Sequence, residues 1–572
     1  MKPLFSLILN IIFLFFLNAC GGGSSSTGTD TPPDDNTTLP DDNITFPDVV
    51  LHDPSFTTTH FSGSQNCAQC HDGITDSVGK DVSIVKAWQG TMMANAATDP
   101  FWKAKVASEV KEHPEFKEII EGKCSRCHTP MANVEATYNG DTVSLSEDGF
   151  LNHDNVYYDA AMQGVSCTLC HQIEDTPQLG TTEGFTGGFV IDTNNTGTDR
   201  KIYGPFTNPR TGPMQNSVQF TPEYSPHINE SKLCASCHNL ETPVIATDGT
   251  ITDDTFPEQA AYTEWEYSDF NGTQSCQDCH MPQVEGSVII STMPTNNLPN
   301  PRSPFFQHKF LGANTYMLEI LKNNRVKLGV LADETSFNES ITDTREFLKA
   351  AADVNITQPS FENGLLNFDV LVTNHSGHKF PTGFPSRRAW LHVTVKNSVD
   401  QIVFESGAIN SEGQISGVVY DTATNTYEPH YEKITDPSQV QIYETILEDT
   451  DDNMTYILLH ALHYLKDNRI LPRGLDKNDV NLPETINPHG KAETDDDFIG
   501  GSDTVEYEIK DLPVGEYTIT ATLHYQTLSF GFAQDLYKNA ELPEVGLMKA
   551  LDASATNRYE TISTDSISIT IP

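Results

Sequence analysis

The chain has almost no cysteine to spare. Of its 11 Cys, ten fall in five Cys-x-x-Cys-His units and the last is Cys20. That leaves no thiol pair for a structural disulfide, no Cys–His couple for catalysis and no ligand set for an iron–sulfur cluster. Positive charge is equally scarce. Against 79 Asp and Glu stand 34 Lys and Arg, a formal net charge of −45. No basic patch with interleaved aromatics occurs, which excludes a nucleic-acid partner. So acidic a surface is a soluble one, suited to steering a basic redox partner or collecting cations. Hydrophobic residues make up only 37% of the chain, modest for a globular protein, and large covalent apolar groups would make good part of that deficit.

What is present in quantity is one motif. It runs Cys67-x-x-Cys70-His71, then Cys124, Cys127 and His128, Cys167, Cys170 and His171, Cys234, Cys237 and His238, and Cys276, Cys279 and His280. Two thiols three positions apart can form thioethers to both vinyl groups of one porphyrin, and the adjoining His then supplies an axial nitrogen to iron. Paired Cys-x-x-Cys units also build zinc sites, but zinc needs no His directly after the second Cys, and all five pairs have one. The expectation is five covalently bound c-type haems.

The N-terminus has Lys2, a short apolar run from Leu7 to Leu17, and then Leu17-Asn18-Ala19-Cys20. This looks like a bacterial lipoprotein signal: residues 1–19 are a signal peptide, and the Cys20 thiol takes the lipid. About 15 apolar positions are too few for a spanning helix. Gly21 follows Cys20, which by the usual sorting preference of such lipoproteins favours the outer membrane, facing the periplasm or the cell surface. Residues 20–50, rich in Ser, Thr, Gly, Asp and Pro, read as a disordered tether.

The rest divides by texture. Residues 51–354 hold all five units at irregular His spacings of 57, 43, 67 and 42, leaving room for short helices and loops wrapped around haem. Helical spacing occurs at Thr98–Val110, Asn314–Asn323 and Ile341–Asp353. Residues 355–572 alternate apolar and polar positions at Leu366–Thr373, Ala389–Lys396, Gln401–Glu405, Thr504–Ile509, Glu516–Tyr525 and Ser566–Ile571. The expected architecture is multidomain: a mainly α-helical and loop multihaem domain, then a C-terminal β-sandwich with one helix at Met454–Lys466. Acidic runs at Glu448–Asn453 and Asp495–Asp497 suggest Ca²⁺ but lack the EF-hand pattern, so solvated loops are the plainer reading.

The sixth ligand of each iron decides the chemistry, because two strong ligands close the iron for electron transfer whereas an open position admits substrate. Distal candidates are His60 and His227, each seven residues before a motif Cys, together with His308 among aromatics, His378 between two strands, Met92, Met93 and the more polar His153. His375 and His113 rank lower. His392 reads as a solvent-facing strand residue, and His460 and His463 as packing residues on the expected helix.

Several stretches resemble bacterial multihaem c-type cytochromes of the superfamily that includes hydroxylamine oxidoreductase and small tetrahaem electron carriers. They are Trp88–Ala94 with Asp99–Trp102, Cys124–Met131, Gly164–Gln172, Cys276–Pro282 and Gly377–Trp390. The resemblance implies closely packed haems working outside the cytoplasm, often with an added β-domain. It implies that the Thr91–Met93 position approaches a haem and that His227, His308 and His378 are distal ligands. Catalytic relatives with Lys in place of the motif His are not matched, since every unit here ends in His.

The leading expectation is therefore an electron carrier of the cell envelope. It passes electrons between envelope redox proteins, towards extracellular acceptors, and is held to the membrane through lipid on Cys20. The alternative is a reductase or oxidase of a small nitrogen or sulfur species at one open haem, with Tyr157, Tyr158 and His153 as acid–base candidates and Arg200, Lys201 and Arg210 as local positive charge.

Overall fold

The structure, a computed structural model, describes residues 49–293, 300–418 and 426–572. The signal peptide, Cys20 and nearly all of the tether lie outside the described residues.

Each attachment unit closes a short helix: Ser64–His71, Lys117–His128, Cys167–Cys170, Lys232–His238 and Cys276–His280. One helical turn puts cysteines three apart on the same face. Local chemistry starts several of these helices. Ser275 and Asp278 form a reciprocal capping box before Cys276, satisfying two amides that a helix start leaves without partners. Helix Pro100–Glu112 begins at Asp99, whose carboxylate accepts from the Phe101 and Trp102 amides at 2.8 and 3.3 Å, with Pro100 at the first helical position. The expected helix at 98–110 is displaced by only two residues.

The C-terminal region is β-rich. A four-stranded sheet runs Lys433–Ile434, Ser502–Lys510, Leu365–Asn374 and Ala352–Glu362. A second runs Ile402–Ser406, Arg388–Asn397, Gly515–Gln526 and Glu560–Ile571, with Ile442–Tyr443 also paired to Arg388–Asn397. Period-two alternation sends Leu366, Phe368, Val370 and Val372 inward from the first sheet and Val393, Val395, Ile519 and Leu523 from the second, into one shared core. Each such side chain contributes about 1.5–3 kcal/mol by leaving water. All six expected strands are present, five within two residues of the expected bounds and the last beginning six residues earlier, at Glu560. The chain also holds a strand the sequence reading missed, Ala352–Glu362, and the helix before it is Glu334–Lys349 rather than 341–353.

The two regions share a second core. Helices Phe530–Leu536 and Pro543–Ala553, late in the chain, pack on helix Pro100–Glu112. Ala104, Met317, Phe337, Phe532, Met548 and Leu551 form one buried cluster there. The β-rich region is therefore built onto the attachment units rather than hung from them.

One expected element is absent. Met454–Lys466 is not a helix but two short strands, Met454–Thr455 and His463–Asp467, either side of a turn at Leu458–His460. The spacing of Leu458, Leu459, Leu462 and Leu465 imitates a helical stripe. However, His463–Asp467 pairs with Thr445–Glu448, and the buried Lys466 reaches Glu444 at 3.0 Å and the Ile442 carbonyl at 2.9 Å. Long-range partners override the local period.

Candidate haem and metal centre

All ten motif cysteines and all five motif histidines line one continuous cavity of about 1330 Å³. Small-ligand pockets usually reach no more than about 1,000 Å³, so this space suits several large groups in contact. The units converge on one another: the Cys67 thiol lies against Cys167, Cys127 against Cys237, and Cys234 against Cys276. Residues some 40 to 110 positions apart in sequence thus form one interior.

The motif histidines are arranged as metal ligands would be. Nδ1 of His71 meets the Ile290 carbonyl at 2.7 Å, that of His128 meets Ala96 at 3.1 Å, and that of His171 meets Tyr203 at 2.6 Å. His280 makes the same bond to the Leu311 carbonyl. A carbonyl on Nδ1 fixes the proton there, orients the ring and leaves the Nε2 lone pair for iron. Burial keeps these rings neutral, as ligation requires. It lowers His128 and His280 to about 4 and shifts His71, His171 and His238 in the same direction.

Two rings from later in the chain face motif histidines. His308 lies near-parallel to His171, with ring centroids 6.2 Å apart and planes at 25°. His378 lies near-parallel to His280, again at 6.2 Å and at 21°. Two metal–nitrogen bonds of about 2 Å plus two half-rings of about 1 Å each span roughly 6 Å, so each pair is spaced to hold one iron between its rings. His378 carries its own carbonyl bond, Nδ1 to Lys379 at 2.9 Å. Burial lowers His308 to about 3 and pushes His378 down as well. The thiols, the anchored imidazoles and these spacings fit c-type haem.

The other distal candidates divide between the cavity wall and the protein around it. Met92 and Met93 line the cavity. His60 is fully buried but outside it, with Nδ1 3.1 Å from Glu135 and Nε2 3.1 Å from the Thr193 carbonyl. His227 is likewise buried, held by the Ser225 hydroxyl at 2.6 Å and the Ile173 carbonyl at 2.8 Å. With both nitrogens of each ring engaged by protein, neither offers a lone pair to iron in this arrangement. His153 is exposed beside Asp154. His375 reaches the cavity wall but bonds Asp353 at 2.6 Å. His113 and His460 meet each other, Nε2 to Nε2, at 2.8 Å, His463 pairs with Glu448 at 2.6 Å, and His392 is half-buried against Glu405 rather than solvent-facing.

The acid–base set read for an open site does not assemble either. Tyr157 bonds Asp141 and Asn139, Tyr158 bonds the Val50 carbonyl, and neither reaches the cavity. Lys201 pairs with Glu223, and Arg200 lies over the Phe220 ring 3.9 Å from its centroid. Of that group only Arg210 lines the cavity.

Sequence reasoning passed over other wall residues. The Trp102 ring stacks on His128 at 4.4 Å and 3°, with a buried Nε1 that has no protein partner. Arg387 lies in the wall near His238 and His378. Glu258 is a buried carboxyl lifted to about 8 by burial and by Glu109. Trp102 and Arg387 both sit in stretches singled out above, but nothing in one sequence separates them from packing residues.

Comparison with known proteins agrees with this geometry. No curated protein matches the chain. The crystal structure of a penta-heme cytochrome c552 from Thermochromatium tepidum is similar in fold, with a TM-score of 0.50 at 16% identity, covering 89% of this chain and 99% of that one. Residues 66–172, which hold the first three attachment units, match the family described as cytochrome c554 and c-prime. By sequence over those three units, and by fold over most of its length, this chain is similar to multihaem c-type cytochromes, and the likeness supports covalent c-type haem.

Proposed function

We propose that this chain is a five-haem electron-transfer protein of the cell envelope, with a C-terminal β-sandwich, anchored to the outer membrane by lipid on Cys20. The observation that carries the reading is the single cavity into which all five attachment units open. Bound there, haem supplies a one-electron couple, while the protein positions, insulates and tunes it. The Ile290, Ala96, Tyr203 and Leu311 carbonyls orient the proximal rings. His308 and His378, which face His171 and His280, would hold iron with them and close two of the centres to outside ligands. The acidic surface favours basic redox partners. The lipid anchor rests on the sequence signal at Leu17–Cys20.

A second reading gains from one observation. Among the described residues no imidazole faces His71, His128 or His238 as His308 and His378 face their partners, which leaves room for an iron open to a small nitrogen or sulfur species. Haem quantification with a carbon monoxide difference spectrum of the reduced protein separates the two. Five haems per chain and no CO binding support the relay, whereas CO uptake by one haem or more moves the second reading to the front. Fewer than five haems would refute the count.

A further inference from the structure

Outside that cavity, the β-rich region buries a group of carboxylates that no Lys or Arg among the described residues pairs with. Asp503 lies on strand Ser502–Lys510 and is fully buried. Its Oδ2 accepts from the Tyr443 hydroxyl at 2.7 Å and from Gln441 Nε2 at 3.2 Å. Its Oδ1 is buried with no partner among the described residues, and a charged oxygen in that state is expensive to keep. This oxygen is 3.9 Å from His430 Nε2, which in turn meets Asp495 Oδ2 at 2.9 Å. Ligand-capable atoms of His430, Asp495 and Asp503 all lie within 4.8 Å of one another. Asp497 stands at the exposed rim, with its carboxyl against Asp495 and repelled by both Asp495 and Asp503. No Lys or Arg among the described residues forms an ion pair with these three. Lys477, the near cation, donates instead to the main-chain carbonyls of Ala492 and Asp495.

The surroundings of His430 decide which class of cation fits. Gln441 Nε2 at 2.8 Å and Asn468 Nδ2 at 3.1 Å both point at His430 Nδ1. Neither amide is free to turn over, because the Gln441 oxygen accepts from the Tyr431 amide at 2.8 Å and the Asn468 oxygen from the Glu444 amide at 3.0 Å. Nδ1 is therefore an acceptor and the proton sits on Nε2, where it is donated to Asp495. His430 orients a carboxylate and is not itself a metal ligand. The donor set that remains is oxygen only, which suits a hard cation rather than zinc.

We propose that Asp495, Asp497 and Asp503 bind one divalent cation of the calcium class, with Asp503 Oδ1 at the floor of the site, Asp497 at its mouth and His430 holding Asp495. The bound ion would tie the segment around Asp495–Asp497 to strand Ser502–Lys510 and to the chain at His430.

The test uses the haem-loaded full chain after removal of metal with a chelator, titrated with Ca²⁺ or Zn²⁺ alone. The expected result is one Ca²⁺ per chain by calorimetry and a raised Tm, with both effects lost in Asp503→Asn. Asp497→Asn removes an exposed charge that Asp495 and Asp503 repel, so it should hold or raise the metal-free Tm while weakening Ca²⁺ binding by about tenfold or more. Three results would overturn the proposal. One is no response to Ca²⁺, another is binding of Zn²⁺ in preference to Ca²⁺, and the third is an Asp503→Asn protein that is more stable than the parent in the presence of Ca²⁺.

Discussion

Asp467→Asn is the most informative single change, because it tests how the β-rich region holds His378, the proposed haem ligand. His378 sits on a loop whose next residue, Lys379, is fully buried. Lys379 Nζ meets Asp467 at 2.7 Å, and Arg469 meets the same carboxylate at 2.7 and 2.9 Å. Glu264, from the region of the attachment units, closes the cluster. It accepts from the Lys379 amide at 3.1 Å and the Thr382 hydroxyl at 2.5 Å, and pairs with Arg469 at 3.0 Å. Taking one anion from this group of four charges leaves two buried cations facing one carboxylate, and removing one partner of a buried ion pair costs about 3–5 kcal/mol. The cost falls on the loop that presents His378. The variant should therefore lose about that much stability in denaturant unfolding, and one haem should shift from low-spin towards high-spin in the electron paramagnetic resonance spectrum. Adding imidazole should restore the low-spin signal. The pH dependence has a definite sign. Lys379 and Arg469 hold the Asp467 carboxyl well below its ordinary value despite burial, so its contribution is fully present above about pH 4 and fades only in stronger acid. A loss below about 1 kcal/mol with an unchanged spectrum would refute the reasoning.

Replacing both cysteines of any one unit, for instance Cys234→Ser with Cys237→Ser, should lower the haem content by one per chain in a pyridine haemochrome assay. His308→Ala and His378→Ala should each add one CO-binding haem to whatever the parent shows, whereas His60→Ala and His227→Ala should add none. Phe368→Ala, in the core shared by the two sheets, should cost about 3–5 kcal/mol in denaturant unfolding. Glu258→Gln should gain stability over the parent on going from pH 6 to pH 9. Burial and Glu109 raise the parent carboxyl to about 8, so the parent gives up stability as pH climbs from its unfolded value to that point, a loss on the order of a few kcal/mol seen as a falling Tm.

Legibility in the sequence followed the range of the interactions involved. The attachment units can be read because their chemistry is confined to five consecutive residues. The strands can be read because period-two burial, as in Leu365–Asn374, is written into every second residue. The helix expected at Met454–Lys466 failed where a helical stripe of leucines met long-range demands, including the buried pair of Lys466 with Glu444. Distal ligands are the least legible of all. His308, half-buried, and His227, fully buried, both lie close to aromatic rings. Only the tertiary fold reveals that one faces His171 while the other has both nitrogens spent on Ser225 and Ile173.

That contrast also changes the place of the β-rich region. A sequence with no Cys after Cys279 places every attachment unit in the first half of the chain. In the structure, Gly377, His378, Phe380 to Phe384, Arg387, Tyr525, Thr527 and Leu528 form part of the cavity wall, and His378 faces a motif histidine. The fully buried cluster of Lys379, Asp467, Arg469 and Glu264 joins the two regions just behind that histidine. Ion pairs buried so completely add little net stability, but they penalise every arrangement in which one partner is missing. Their position beside His378 makes register between the regions the property they enforce. The haem opposite His378 should then report on the docking of the β-rich region, while the His171–His308 centre, built wholly from the first 310 residues, should not.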